Sequence, residues 1–115
     1  MNLRQKIILK GIPASPGGQI QGKVKIINSS QGLKKLKKGD ILVSSFLTPD
    51  FIPFVRKNSR ISGIITDKGC STCHAAILAR EFKIPYIAAT VDATRRLKNN
   101  TNVVMNSDSG IIYEV

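Results

Sequence analysis

The sequence predicts a single α/β domain in which short helices pack on strands, and three observations lead to this prediction. The chain has 115 residues, a length that fits one compact domain. Hydrophobic residues make up 42% of it and aromatic residues only 5%, so we expect a core of Ile, Val, Leu and Ala, and runs rich in isoleucine favour strands. Strand patterns alternate with helix candidates, which is typical of an α/β or α+β domain with both kinds of layer.

The strands are predicted from alternation and from the turns between them. Residues 11–18 contain two prolines and three glycines, so we predict a turn or shaped loop there. After it, Ile20, Val24 and Ile26 alternate with polar residues, the pattern of a half-buried strand. Further short strands are predicted at residues 40–45, 62–66, 85–88, 102–105 and 111–115, with turns at 39–40, 99–100 and 107–110.

Three helices are predicted between these strands. Thr48-Pro49-Asp50 offers an N-cap, a first-turn proline and an early acid for the first helix, which a later proline would keep short. The second begins at Ser71 or Thr72, has one apolar face, and is stopped by Ile84-Pro85. Residues 90–97 form a shorter third helix.

The charge is strongly positive, with 18 Lys and Arg against 7 Asp and Glu and a net charge of +11. Such a balance suggests nucleic acid, an anionic surface or an acidic partner. The densest basic runs, at residues 34–38 and 95–98, have no aromatic residues between the cations that could stack on bases. We therefore interpret the charge mainly as solvated surface, and nucleic acid is not the expected partner.

The sequence also bears on location. The first ten residues have neither an apolar core of signal-peptide length nor a small-residue cleavage site. No segment approaches the length that crosses a membrane. A cytoplasmic protein with reduced thiols is the expectation.

His74, the only histidine, lies where a turn of small residues passes into an alanine-rich stretch. The first turn of a helix has unpaired N–H groups and the positive end of the helix dipole, which favour a bound or covalent phosphate. Imidazole is a competent nucleophile near neutral pH. A lone histidine is more often a structural or surface residue, so its position alone does not establish this chemistry.

The string Cys70-Ser71-Thr72-Cys73-His74 allows several interpretations. It matches a c-type haem attachment site with His74 as axial ligand, although the export signal that such a site needs is not evident. A C-x-x-C pair at a helix start also resembles a thioredoxin-like redox pair. As a zinc site, the string offers three ligands within five residues, too clustered for a structural tetrahedron without ligands from elsewhere.

Phosphoryl transfer through His74 is the remaining interpretation. A neutral imidazole accepts a phosphoryl group in line, and the loop before it supplies hydrogen-bond donors for the oxygens. Gly69 allows close approach of the backbone, while the hydroxyls of Ser71 and Thr72 can donate to phosphate or orient the ring. Composition alone does not select this interpretation.

Residues 66–85 closely resemble the phosphohistidine segment of phosphoenolpyruvate-utilising enzymes, especially phosphoenolpyruvate synthase and pyruvate phosphate dikinase. The strings T-C-H-A-A-I at residues 72–77, A-R-E at 79–81 and I-P at 84–85 carry this resemblance. It extends to residues 11–17, 48–50 and 108–113, so nearly the whole chain, 1–115, resembles one swivelling domain of these enzymes.

The resemblance implies a β/β/α swivelling domain whose His74 is the nucleophile and carries phosphate between two distant sites. Gly69, Ser71 and Thr72 would then shape the phosphate site, and Arg80 would contact a docked substrate or partner. The family supplies the rest of the reaction from an ATP-grasp domain, which binds ATP, and a TIM-barrel domain with Mg²⁺, which passes phosphate to pyruvate. The chain is thus expected to be a phosphotransferase component, incomplete by itself, that binds no cofactor or metal of its own.

Two residues depart from the family pattern, and one resembles a regulatory position. Cys70 and Ala89 stand where the family commonly has glycine. Thr72 matches a threonine that a regulatory kinase phosphorylates in some members, and a dianion two residues from His74 would repel an incoming phosphate. The simpler role for Thr72 is that of a helix N-cap. The alternative function is a silent binding module that keeps the swivelling fold and docks on an acidic protein or nucleic acid through its basic surface.

Overall fold

One eight-stranded mixed sheet organises the protein. The computed structural model describes residues 6–47, 51 and 61–115. In chain order the elements are β1 (Ile7–Lys10), β2 (Ile12–Ser15), β3 (Gln19–Ile26), a 3₁₀ helix (Ser30–Lys35), β4 (Asp40–Ser44), β5 (Gly63–Thr66), α1 (His74–Glu81), β6 (Tyr86–Ala88), α2 (Ala93–Arg96), β7 (Asn102–Asn106) and β8 (Ile111–Glu114). The strands follow the order β1-β8-β7-β3-β4-β5-β6-β2 across the sheet. The predicted α/β class is confirmed.

The central strands β4, β5 and β6 pair in parallel and are buried along their whole length. Their residues are mostly apolar, as expected for strands covered on both faces, and the buried polar residues Asp40, Ser44 and Thr66 lie at strand ends. Because side chains alternate across a strand, Leu42 and Ile64 point to one face of the sheet, and Ile41 and Ile65 point to the other. These two pairs belong to two separate hydrophobic clusters, so the sheet has a core on each side.

Helix α1 covers the first face. Its buried residues Ala76 and Ala79 pack in the same cluster as Leu42, Ile64 and Tyr86. Alanines at this spacing lie on one side of the helix and let its backbone approach the sheet closely. The resulting helix layer places the N-terminus of α1 near the end of β5.

The sheet curls over its own second face, where the short helix α2 also packs through Ala93. A Cβ atom on Gly63 of β5 would lie 2.7 Å from Sδ of Met105 in β7 and 2.9 Å from Cδ1 of Ile20 in β3. Since β3 and β4 separate β5 from β7 in the strand order, this contact is made face to face. Two sheet layers and one helix layer result, which is the β/β/α arrangement that the resemblance implied.

The strands near the N-terminus differ most from the sequence predictions. Residues 12–15 were expected to form a loop, but they form β2 and pair with β6. Pro13 is compatible with this because β2 is the last strand of the sheet, and an edge strand can leave backbone donors unused. Strand β1 and the 3₁₀ helix at residues 30–35 were not predicted.

The helix boundaries also differ. Helix α1 begins at His74, not at Ser71 or Thr72. Helix α2 spans only residues 93–96 of the predicted 90–97, because Val91 has a φ of 75°, outside the helical region. The helix predicted from Thr48-Pro49-Asp50 falls on residues outside the described ranges. In the part of the chain that is described, none of the helices has the length and hydrophobicity needed to cross a membrane.

Candidate phosphoryl-carrier site

His74 is the first residue of α1, and its side chain is exposed. The preceding residue, Cys73, is the N-cap, and its carbonyl accepts the first helical hydrogen bond, from the N–H of Ile77 at 3.1 Å. The side chain of Cys73 makes no capping hydrogen bond. The imidazole therefore stands beside first-turn N–H groups at the positive end of an eight-residue helix, surroundings that favour an anion.

The loop that leads to His74 is anchored at its start by backbone hydrogen bonds that it donates to carbonyls at the end of β4. The N–H of Asp67 donates to the carbonyl of Ser44 at 3.1 Å, and the N–H of Lys68 donates to Ser45 at 2.9 Å. The side chain of Asp67 accepts from the backbone N–H of Thr94 at 2.9 Å and from its hydroxyl. The first two residues of the loop are thus held by β4 and by α2.

A buried hydrogen-bonded pair, Tyr86 and Thr66, supports the same loop, and we call this pair the brace. The hydroxyl of Tyr86 lies 2.9 Å from Oγ1 of Thr66, which itself donates to the carbonyl of Lys68 at 2.6 Å. Because the threonine hydroxyl has one proton, Tyr86 is the donor in its contact with Thr66. Burial raises the pKa of Tyr86. The phenol therefore keeps the proton that it donates.

Gly69 lies directly above this brace. Its φ of 130° falls in the region that disfavours side chains, and a Cβ there would lie 3.0 Å from the hydroxyl of Tyr86 and 3.3 Å from Cβ of Ala88. From the sequence, Gly69 is expected to allow close approach of the backbone to phosphate. In the structure, the glycine lets the loop pass close over the buried brace.

Arg80 connects the loop to the edge strand β2. Its Nη1 donates to the carbonyl of Ser71 at 2.8 Å and to the carbonyl of Ala14 in β2 at 2.6 Å. Arg80 lies in the last turn of α1, so one side chain joins the helix, the loop before it and a strand 66 positions away. A guanidinium has five N–H donors, so donors remain for the substrate or partner contact that the sequence suggested.

Replacing Arg80 by alanine should lower the free energy of unfolding by about 1–2 kcal/mol, because charge-assisted hydrogen bonds to two carbonyls are lost from a partly exposed position. The matched control is Arg95→Ala, which removes only an exposed ion pair with Asp92, 3.5 Å long, and should cost less than about 0.5 kcal/mol. Urea unfolding followed by circular dichroism measures both. Equal costs for the two variants would show that the Arg80 contacts contribute nothing to the fold.

The two cysteines of the loop are joined. Cys70 and Cys73 form a disulfide with their Cα atoms 5.4 Å apart, a separation within the usual range. The expectation of reduced thiols therefore differs from the structure, in which the turn before α1 brings the two sulfurs together. Joined sulfurs are not available for the thioether links of the haem interpretation. Within the described residues, no group of three or more His, Cys, Asp or Glu could hold a metal ion, which leaves the zinc interpretation unsupported.

The structure brings Gly69, Ser71, Thr72 and His74 together at one loop–helix junction. Thr72 is not the N-cap that the simpler interpretation made it, because Cys73 occupies that position. The hydroxyl of Thr72 instead lies 3.7 Å from Sγ of Cys70. Sequence reasoning missed the bracing residues beneath the loop. No local pattern could have found them, because the contact of Tyr86 with Thr66 joins two strands whose pairing is known only from the structure.

Residues 36–110 match the family model described as "PEP-utilising enzyme, mobile domain". A probable phosphoenolpyruvate synthase of Archaeoglobus fulgidus is 45% identical over 109 residues, which is 95% of this chain and 14% of that protein. The chain thus spans about a seventh of that relative's length.

Two solved structures have a similar fold. An Enzyme I structure determined by NMR aligns with a TM-score of 0.60 and 29% identity, over 70% of this chain and 32% of that one. Aconitase X from Thermococcus kodakaraensis, in its holo form, aligns with a TM-score of 0.68 over 93% of this chain and 97% of that one. At 21% identity, the second match shows the shared fold alone.

Proposed function

The chain belongs to the family of PEP-utilising enzyme mobile domains, and from this premise we propose that it accepts a phosphoryl group on His74 and delivers it to a second site. Membership of this family and similarity to phosphoenolpyruvate synthases support a phosphoryl-carrier role in general. The observation that carries the proposal for His74 is the exposed imidazole of the first residue of α1, beside a helix N-terminus whose N-cap side chain makes no capping hydrogen bond.

In this transfer, the domain would contribute mainly by exposing the imidazole of His74 to the donor and the acceptor. An imidazole nitrogen attacks the phosphorus of the donor from the side opposite the leaving oxygen and forms an N–P bond. The P–O bond to the leaving group breaks, and its electron pair stays on the leaving oxygen. The second step reverses this at the acceptor, where the N–P bond breaks. First-turn N–H groups, together with the hydroxyls of Ser71 and Thr72, would hold the phosphoryl oxygens between the steps.

Other polypeptides or domains would complete the reaction. The chain matches only 14% of its relative from Archaeoglobus fulgidus, so further domains accompany this one there. We propose an ATP-grasp domain as phosphoryl donor and a pyruvate-binding TIM barrel as acceptor, with ATP and Mg²⁺ bound on those partners. Arg80 would contact the docked partner, and phosphorylation of Thr72 would block transfer by charge repulsion. A cytoplasmic location is part of the same proposal.

The test is to incubate the full chain with ATP labelled in its terminal phosphates, with and without a separately purified ATP-grasp domain. A parallel incubation supplies labelled phosphoenolpyruvate with a TIM-barrel partner. We expect label on the chain that survives base and is lost in acid, in amounts approaching one phosphate per chain. An unlabelled chain that instead binds nucleic acid with steep salt dependence would favour the silent binding module. Acid-stable label would also overturn the proposal.

A further inference from the structure

The disulfide lies within the loop that presents His74. The ring that it closes runs from Cys70 to Cys73 and contains Ser71 and Thr72, the two proposed phosphate contacts. Cys73 is also the N-cap of α1, directly before His74. Its side chain is exposed and that of Cys70 is half-buried, so a reagent in solution can reach the bond. Any change in this bond therefore acts on the residues closest to the imidazole.

We propose that Cys70 and Cys73 form a reversible dithiol–disulfide site, whose redox state sets the geometry of the loop and so the rate at which His74 accepts phosphate. The second part of this inference rests on the proposed function. The substrate class is a dithiol, either a small molecule or a protein with two neighbouring thiols. Formation of the bond needs a disulfide of the same class as oxidant.

The exchange balances without a further reactant. A thiolate of the dithiol attacks one sulfur of the Cys70–Cys73 bond, forming a mixed disulfide and releasing the other cysteine as a thiolate that takes up a proton. The second thiol of the reductant then attacks the mixed disulfide, releases the remaining cysteine, and closes the reductant's own disulfide. Two electrons and two protons pass to the protein, and the dithiol is oxidised.

The contacts of the loop indicate why the redox state should matter to His74. In the disulfide form, four consecutive residues are closed into a small ring, and the hydroxyl of Thr72 lies against the sulfur of Cys70. Arg80 holds the carbonyl of Ser71 within the same ring. Reduction removes the covalent constraint and leaves the anchors at Asp67 and Lys68 in place. The two hydroxyls can then turn towards a phosphoryl group, so the disulfide form should be the slower acceptor.

The composition of the chain makes the test unambiguous, because it has two cysteines and one histidine. The full chain is equilibrated in buffers of graded dithiol-to-disulfide ratio, the free thiols are alkylated, and the fraction reduced is measured from the mass shift. The imidazole resonances of His74 are recorded in both states by NMR. Phosphorylation of His74 by the labelled donors and partners of the preceding test is then timed in both states.

We expect a reversible two-electron transition, a shift of the His74 resonances, and phosphorylation slower by about tenfold in the disulfide form, a size typical of coupling between linked sites. Cys70→Ser is the matched variant, since it keeps the N-cap residue and cannot form the ring. Its phosphorylation rate should match that of the reduced protein and should not respond to oxidant.

The outcomes separate this inference from the function on which it rests. If neither redox state accepts label, the proposed function fails, and the His74 resonances alone decide whether the bond controls the loop. Cysteines that stay alkylatable in oxidant, or resonances and rates that are equal in the two states, would overturn the inference. A redox response that persists in Cys70→Ser would place the effect elsewhere and overturn it as well.

Discussion

Replacing His74 by alanine is expected to reduce the acid-labile, base-stable phosphate on the chain to background, whether ATP or phosphoenolpyruvate supplies the label. The imidazole nitrogen is the atom that would form the N–P bond, and alanine offers no nucleophile. The fold should not change, because His74 is exposed and alanine is the best helix former at this position. Label is measured by radioactivity after base treatment, and the free energy of unfolding should lie within about 0.5 kcal/mol of the parent.

Two controls make this result specific. Glu81→Gln changes an exposed residue at the other end of α1 and should leave labelling unchanged. Thr72→Ala should slow labelling without abolishing it, by less than the roughly 10²–10³-fold lost with a preorganised donor in a buried site, because this loop is exposed. Base-stable label that persists in His74→Ala would refute the assignment of the carrier residue.

The largest effect on stability is expected for Gly110→Ala. Gly110 has a φ of 77°, and a Cβ there would lie 2.3 Å from the carbonyl oxygen of Gly11. The two residues are also hydrogen-bonded, the N–H of Gly11 donating to the carbonyl of Gly110 at 2.7 Å, so neither backbone can move away freely. We expect a loss of about 2–5 kcal/mol, from left-handed backbone and overpacking together. That is a large share of the roughly 5–15 kcal/mol that stabilises a typical domain.

Gly39→Ala is the matched control for this substitution. Gly39 has a similar φ of 87°, but a Cβ there would meet nothing within 4 Å. Its loss should be the backbone contribution alone, about 1–2 kcal/mol. Urea unfolding of both variants isolates the steric part by subtraction. Equal losses would mean that the contact between Gly110 and Gly11 relaxes without cost.

Sequence patterns predicted the central strands well because those strands are buried on both faces and bounded by turn residues. Strands β4 to β8 all lie within one or two residues of their predicted positions. Strand β3 was found from the alternation of Ile20, Val24 and Ile26. Local signals were sufficient at these positions because burial and turn chemistry favour the same structure.

The features that were missed depend on contacts between distant parts of the chain. Strand β2 exists because β6 is available to pair with residues whose own composition favours a loop. The brace of Tyr86 and Thr66 joins neighbouring strands 20 positions apart. Ala89 has a φ of 56°, a backbone conformation that glycine would adopt more easily. No local pattern contains this information.

The sequence predicts which residues meet at the loop–helix junction, but it does not predict the contacts that they make. His74, Ser71, Thr72 and Gly69 follow from one continuous string, and the structure places them at one junction. Arg80 was expected to face a partner, but its two described contacts face inward, to Ser71 and to β2. The sequence alone does not distinguish an arginine that donates to two carbonyls within the domain from one whose guanidinium binds a ligand.

The strand order has a practical consequence for anyone who isolates this unit from a longer polypeptide. The match to the family model begins at residue 36, after the end of β3. In the sheet, however, β3 lies between β7 and β4 and pairs with both, so it connects the two halves of the sheet. A fragment cut to residues 36–110 would lose β8 as well as β1, β2 and β3, so β7 would have neither of its pairing strands. Arg80 would also lose the carbonyl of Ala14, to which it donates. The recognisable signature is therefore smaller than the folding unit.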